Sequence, residues 1–201
     1  EIIAVLGKEK GKCFSDTFNI TAGINFEGVN IPNLLKSSDL DSDFSDEMQK
    51  LYDYRKKRSR LHLDDKTLLS WNSMMIAALS MLYRVSQNED YLQAAIDAQR
   101  FIEKNLSENL RLFTSWRDGR RLESGFLDDY AFYVAALTEL YHSTLNGNYL
   151  EKAKRFCNEA VNRFADGKNE GFYLSDSSDT ELFMNPKESY DGAIPSGNSV
   201  M

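Results

Sequence analysis

Apolar residues run almost all the way round positions 67–86 (TLLSWNSMMIAALSMLYRVS), as expected of a helix buried on most sides. Asn88 and Asp90 break the run. From 90 to 105 (DYLQAAIDAQRFIEKN), Leu92, Ala95, Ile96 and Ile102, with Gln99 in the same register, alternate with charge. That spacing predicts an amphipathic helix with one face turned to solvent. The same pair then recurs. Positions 129–145 (DYAFYVAALTELYHSTL) are mostly apolar, Asn146-Gly147-Asn148 signals a turn, and 149–164 is amphipathic again. An apolar inner helix alternating with an amphipathic outer one is the pattern of a ring or solenoid of helical hairpins.

The recurrence extends to particular residues. Ala77-Ala78-Leu79, Tyr83 and Tyr91-Leu92 return as Ala135-Ala136-Leu137, Tyr141 and Tyr149-Leu150, an offset of 135 − 77 = 58. Ser70-Trp71-Asn72-Ser73-Met74-Met75 returns loosely as Ser196-Gly197-Asn198-Ser199-Val200-Met201, an offset of 196 − 70 = 126, and Asp65 then maps onto Asp191. A period near sixty residues stacks one two-helix unit. A third inner helix therefore starts at the end of the chain, and inner helices are expected to run parallel to one another. The chain opens on Glu1 without a Met and stops at Met201 inside that third helix, so a piece of a longer protein is expected.

Between hairpins the chain passes through longer links, 107–126 and 166–195. Arg111-Leu112-Phe113-Thr114-Ser115-Trp116 precedes Arg117-Asp118-Gly119, and Asp-Gly favours a tight β-hairpin turn. Gly171-Phe172-Tyr173-Leu174 reads as a second strand-like fragment. Such links, gathered at one end of the inner helices, suit a functional rim. Residues 1–60 do not follow the period. They read as an irregular extension with one charged helix, from Asp43 or Ser45 to about Arg58, packed on the repeats in 61–201. At that length little core of its own is expected.

Composition narrows the function. The 201 residues are 42% hydrophobic and 27% charged, which is ordinary for a globular protein. A net charge of −7 argues against a nucleic-acid surface. The basic run Arg55-Lys56-Lys57-Arg58 reads as the cationic last turn of a helix. No stretch approaches the ~20 apolar residues of a membrane span. Two cysteines, Cys13 and Cys157, lack metal-like spacing and read as reduced thiols, Cys157 buried, which favours the cytoplasm. His62 and His142 are the only histidines, so neither a polyhistidine metal centre nor any cofactor is expected.

Polar residues gather where each inner helix starts. The first set is His62, Asp64, Asp65, Lys66, Trp71 and Asn72; the second is Asp128, Asp129 and Tyr130; the third is Glu188, Tyr190, Asp191, Ser196 and Asn198. Parallel inner helices would bring these sets to one cup. Aromatic faces stack on a pyranose ring while carboxylates and amides take its hydroxyls. Two carboxylates on opposing walls could work as acid and base. Asp65, Asp129 and Asp191 are the candidate catalytic carboxylates, Trp71 and Tyr130 the stacking platforms, and Asn72 and Asn198 the hydroxyl-binding amides. His62, Asp64, Asp128, Glu188 and Tyr190 complete the binding set. The plainer alternative is that each Asp or Ser caps its own helix by accepting from free N–H groups. A cap accounts for one acid per helix and leaves one member of Asp64-Asp65 and of Asp128-Asp129 over. Trp71 and Tyr130 could equally be core aromatics.

The long motifs here are His62-Leu63-Asp64-Asp65-Lys66 with Ser70-Trp71-Asn72, Gly125-Phe126-Leu127-Asp128-Asp129-Tyr130-Ala131-Phe132, and Pro186-Lys187-Glu188 with Asp191-Gly192-Ala193-Ile194-Pro195-Ser196-Gly197-Asn198-Ser199. Together with Asn25-Phe26-Glu27-Gly28 and Asn30 they closely resemble the thioredoxin-domain-containing family that includes the spermatogenesis-associated thioredoxin-like protein. That resemblance implies an N-terminal thioredoxin-like domain elsewhere in the full-length chain. It also implies an (α/α)6 toroid akin to sugar epimerases and six-hairpin glycosidases, of which this chain is the middle. Ser73 stands where the family has Gly after Trp-Asn. The related epimerases use several histidines, and only His62 is available to this cup. The expected fold class is therefore all-α: a partial (α/α)6 toroid with short β-hairpin-like links. The expected function is a sugar-binding cup with glycosidase- or epimerase-like chemistry. The alternative is a non-catalytic scaffold serving the thioredoxin-like domain. An open toroid edge would leave apolar inner-helix surface bare, and self-association through it is expected.

Overall fold

A computed structural model describes every residue except 24, 38–41, 59–62, 177 and 179–182. It divides into two units, Glu1–Asp64 and Asp65–Met201. The repeats form the second unit. Its first hairpin is α4 (Leu69–Ser86) and α5 (Glu89–Asn105), and its second is α6 (Leu127–Thr144) and α7 (Gly147–Phe164). The first turn of a third inner helix follows as α8 (Gly197–Val200).

The two hairpins are built by the same local chemistry. Each inner helix ends on a left-handed residue, Gln87 at φ 56° and Leu145 at φ 54°. Each outer helix then starts from an Asn whose side chain accepts from the backbone two residues on: Asn88 from Asp90 (2.9 Å) and Asn146 from Asn148 (3.1 Å). These positions are 58 apart. Outer α7 buries Ala153, Phe156, Ala160 and Phe164, spaced by three and four as a one-sided helix requires. Inner α6 buries most of its length, from Leu127 through Tyr130, Tyr133 and Leu137 to Leu140. Gln99 of α5 is also buried, and its amide donates to the Tyr133 hydroxyl at 3.1 Å, satisfying both polar groups.

The inner helices run parallel. Near the starts of α4 and α6, the Asp129 carboxylate lies beside the backbone N–H of Ser70. Farther along, Ser143 Oγ donates to the Ser80 carbonyl (2.9 Å), and Arg84 meets Glu139 Oε2 (2.6 Å). Partners offset by 59, 63 and 55 residues from one end to the other require the same direction.

The link 107–126 is ordered sheet. β3 (Arg111–Arg117) pairs antiparallel with β4 (Arg120–Ser124), with β2 (Ser107–Glu108), and with β1 (Thr67–Leu68) ahead of α4. Asp118 and Gly119 both have positive φ, as a two-residue turn of this hand needs. Trp116 packs edge-on to Phe101 of α5, centroids 5.4 Å apart, and so ties the hairpin to the helices.

Several expectations are corrected here. Thr67 and Leu68 are strand because they pair with Trp116 and Ser115, so α4 starts at Leu69. α6 starts two residues early, at Leu127, and α7 at Gly147. Gly171–Leu174 makes a single bridge, Ala165 to Phe172; Tyr173 and Leu174 instead donate to Phe164 and Pro186 carbonyls. Cys157 is half-buried rather than buried.

The first unit holds more regular structure than its irregular pattern suggests. Besides α3 (Ser45–Arg58) it has α1 (Ile2–Leu6) and α2 (Lys8–Thr17). Phe14, Phe18 and Phe44 form its aromatic centre, with centroids 4.4–5.5 Å apart. Lys10 joins Glu47 at 2.5 Å across α2 and α3. Asn25 stitches the following loop: its amide donates to the Asn19 and Ile31 carbonyls and accepts from Ile31 N. No helix among the described residues is long and apolar enough to cross a membrane.

Candidate functional site

The starts of α4, α6 and α8 share one end of the second unit, and the Asp pair of α6 holds them together. Asp129, 2% exposed, sits in the first turn of α6. Its carboxylate takes the Phe126 N–H (3.0 Å), closing the start of its own helix. The Ser70 N–H at the start of α4 and the Thr114 hydroxyl of β3 lie close enough to favour its ionised form, the hydroxyl itself donating to the Ser124 carbonyl at 3.2 Å. Asp128 turns the other way, and its Oδ1 accepts from Gly197 N at 2.8 Å, at the start of α8. The pair left one acid over as a cap for a single helix; here it caps three. Gly197 is what allows the approach: a Cβ there would stand 2.9 Å from Leu127 Cγ and closer still to Asp128 Oδ1. Ser196 caps α8 itself, its hydroxyl accepting from Ser199 N.

The environments of these acids differ. Burial raises the Asp129 carboxyl above its usual range, against the pull of the three donors. Burial also raises Asp128, and the nearby Glu188 charge adds to it, while the Gly197 N–H opposes. Asp191 is exposed and accepts from Ser196 N (2.9 Å), which holds its carboxyl below the usual range. Asp65 pairs with Arg117, Oδ1 to Nε 2.8 Å, across the start of β1 and the end of β3.

The remaining predicted site residues separate into bound and open groups. Asn198 is committed to backbone: Oδ1 accepts from Phe172 N, and Nδ2 donates to the Phe172 and Glu188 carbonyls (2.8, 3.0 and 2.7 Å). Asn72 Nδ2 donates to the Leu68 carbonyl at 2.7 Å. Tyr130 is corrected from stacking platform to core residue. Its ring is 1% exposed and stacks edge-on to Phe164, and its hydroxyl accepts from Leu112 N while donating to the Leu110 carbonyl. Trp71 and Tyr190 are open, 65% and 86% exposed, and Glu188 is exposed. Asp64 closes the first unit and is exposed. His62 lies outside the described residues. No group of three His, Cys, Asp or Glu able to hold a metal ion occurs among the described residues.

Arg117, Thr114 and Gly197 had not been singled out for these roles. Arg117 and Thr114 sit on a strand whose partners are remote in sequence, so no local pattern marks them. Gly197 stood in the 126-residue repeat opposite Trp71, and that exchange of the largest side chain for none is a signal of close approach.

Comparison with known proteins bears on this arrangement. No family model matches the chain. Spermatogenesis-associated protein 20 of Rattus norvegicus is 31% identical over 164 residues, 76% of this chain. The chain is similar to spermatogenesis-associated protein 20 over that stretch. The human form is 30% identical over the same length. The chain spans about a fifth of these relatives (21%). Among solved structures, a cellobiose 2-epimerase from Bacillus thermoamylovorans is 26% identical with TM-score 0.54, over 67% of this chain and 36% of that one. A GH76 α-mannanase from Bacteroides thetaiotaomicron is 18% identical with TM-score 0.52, over 58% and 33%. A family 105 glycoside hydrolase from C. acetobutylicum is 17% identical with TM-score 0.52, over 77% and 49%. The segment shared with spermatogenesis-associated protein 20 thus has the (α/α)6 hairpin fold of sugar epimerases and glycoside hydrolases.

Proposed function

We propose that the end of the second unit carrying the starts of α4, α6 and α8 binds a carbohydrate and supports glycosidase- or epimerase-like proton transfer. The observation that carries this reading is the contrast between Asp128 and Asp191. Burial and Glu188 favour the protonated form of Asp128, while backbone donation keeps Asp191 ionised. Carboxyls whose environments push them apart are suited to acid and base roles. Asp128 is then the proton donor, Asp191 the base, Glu188 a neighbouring acid that holds the Asp128 proton, and Trp71 and Tyr190 the stacking faces. Asp129 and Asn198 support the frame, and Asp65 orients the hairpin through Arg117. His62 and Asp64 remain binding candidates on sequence grounds alone. The named activities of the fold neighbours agree with this class of ligand. The two free thiols, Cys13 and Cys157, suit a cytoplasmic protein.

One observation favours a second reading. Asp65, Asp129, Asn72 and Asn198, four of the polar groups first assigned to sugar, already have protein partners. A non-catalytic interaction module beside a thioredoxin-like domain would need no more than that. Calorimetric titration with a panel of mono- and disaccharides separates the two. Binding lost in Trp71→Ala and kept in Asp128→Asn, with turnover lost in Asp128→Asn, supports the enzyme reading. No binding by the folded protein or by a complete toroid overturns it.

A further inference from the structure

Of the Pro186-Lys187-Glu188 motif in the second rim link, the proposed chemistry uses only Glu188. Lys187 has a place of its own. Its side chain is half-buried, and its three ammonium hydrogens meet three oxygens: Asp166 Oδ2 at 2.6 Å, the Glu170 carbonyl at 2.8 Å and the Asn169 carbonyl at 3.1 Å. The Tyr173 ring faces the same nitrogen, its centroid 5.0 Å away. The Asp166 side chain is only 6% exposed. It also accepts within its own loop, at Oδ1 from Lys168 N and at Oδ2 from the Asn169 amide. The loop 166–171 is thus folded around a cation that the chain itself supplies, 21 residues on from Asp166.

The bonds beyond this cage close a circuit. The loop leads through Gly171 into Phe172, whose N–H and carbonyl both bond the Asn198 amide, at 2.8 and 3.0 Å. Gly171 has φ 87°, and a Cβ there would stand 3.1 Å from Asn198 Oδ1, so the loop passes close over that amide. Asn198 Nδ2 also donates to the Glu188 carbonyl at 2.7 Å, and Glu188 follows Lys187 in the chain. Loop, Asn198, Glu188 and Lys187 therefore fasten one another in a ring. Gly197, beside Asn198, gives its N–H to Asp128. We propose that Lys187 is a positioning residue, whose caged ammonium holds Glu188 and the first turn of α8 against Asp128. Its use in proton transfer rests on the reading of Asp128 as proton donor; the positioning itself does not.

Position and bare charge give different signs. Lys187→Met removes a positive charge, which by direct electrostatics raises any carboxyl that feels it. Asp166→Asn removes a negative charge, which by the same route lowers it. Opening the cage acts otherwise. Either variant frees Glu188 to swing away, and Asp128 then loses the like charge that raises it, so both variants lower its carboxyl. Asp129, a further charge beside Asp128, is untouched by either change.

Titration of the Asp128 carboxyl by carbon-13 NMR in the 201-residue chain tests this. It uses no sugar and no turnover, so it stands or falls separately from the carbohydrate reading. The Asp128 midpoint is expected to fall by roughly 0.3–1 pH unit in Lys187→Met. It falls by less in Asp166→Asn, whose remaining oxygen keeps a weaker hold on the ammonium. In a Glu188→Gln background neither variant moves it, because the charge that Lys187 positions is gone. Should Lys187→Met not fold, the Asp166→Asn shift and its disappearance in the Glu188→Gln background decide alone. A midpoint that rises or stays in Lys187→Met, opposite signs in the two variants, or a shift that survives Glu188→Gln overturns the proposal.

Discussion

Replacing Asp129 is the sharpest test of what the paired aspartates do. A carboxylate that merely caps one exposed helix start tolerates Asn with little loss. Asp129 is different, because one buried group receives the N–H of Phe126 and sits beside the N–H of Ser70 on the neighbouring inner helix. Asp129→Ala strands these donors, at roughly 1–3 kcal/mol for each one buried. Since they share one site and water can enter in part, about 3–5 kcal/mol in total is expected. Asp129→Asn keeps one acceptor oxygen but aims an NH2 group at donors, and about 1–3 kcal/mol is expected. At ~2–4 °C per kcal/mol for a unit of this size, Asn lowers Tm by roughly 2–12 °C. The pH dependence carries a sign. Burial raises the folded carboxyl of Asp129 above its unfolded value. The folded state therefore binds the proton more tightly, and this group adds stability below the unfolded pKa near ~4. That contribution fades as pH rises through the folded pKa. Asn has no such contribution, so the gap between wild type and Asp129→Asn widens as pH falls from neutral toward ~4. Urea unfolding of both proteins across that range measures it. A gap that is constant, or below about 0.5 kcal/mol throughout, would sink the inter-helix role.

Three further outcomes follow from the same framework. Gly197→Ala forces a Cβ against Asp128 and Leu127. It should loosen α8 from α6, seen as faster amide exchange at Gly197 and Asn198 with α4 and α5 unaffected. Leu145 holds a left-handed conformation at φ 54° while 78% exposed; Leu145→Gly should raise stability by about 0.5–1 kcal/mol in chemical denaturation. Lys187 donates to Asp166 Oδ2 at 2.6 Å and holds that carboxyl far below its usual range. A depressed carboxyl contributes stability above the unfolded pKa and loses it as pH falls through the folded one. Lys187→Met should therefore destabilise at neutral pH, and the difference should begin to narrow only as pH falls below about 4; a difference that grows in acid would contradict the pairing.

What was legible in the chain was whatever depends on neighbours close in sequence. Asn88 and Asn146 cap because an Asn side chain reaches its own backbone two residues on. Asp118-Gly119 turns because glycine, with aspartate before it, accepts positive φ. The inner and outer helices follow from which positions can face the core. α1 and α2 were missed for the complementary reason. They are short, carry Gly7 and Gly11, and are ordered by packing around Phe14, Phe18 and Phe44 rather than by a periodic pattern.

The site shows where such reasoning stops. Trp71 and Tyr130 are both aromatic and both lie near an inner-helix start, yet one is open and the other is sealed. The difference is made at Leu112, whose backbone N–H donates to the Tyr130 hydroxyl from eighteen residues away. Asp128 and Asp129 are chemically identical neighbours, yet the helix turn aims one at α8 and the other at α4 and β3. No property of either residue alone assigns those targets; they are set by which helix lies on each side. An acid pair at the start of a middle helix can bind both flanking helices at once, which a single acid cannot. The doubled aspartate is therefore accounted for by the geometry of a ring of parallel helices. Catalytic work, if Asp128 performs it, uses a carboxyl already fixed in place by that structural duty. It makes a direct prediction: Asp128→Asn, which keeps an oxygen for Gly197 N, should hold α8 in place while removing the exchangeable proton. Asp128→Ala should release α8. Amide exchange at Gly197 alongside turnover separates the two losses, and equal exchange in both variants would show that Asp128 does not anchor α8.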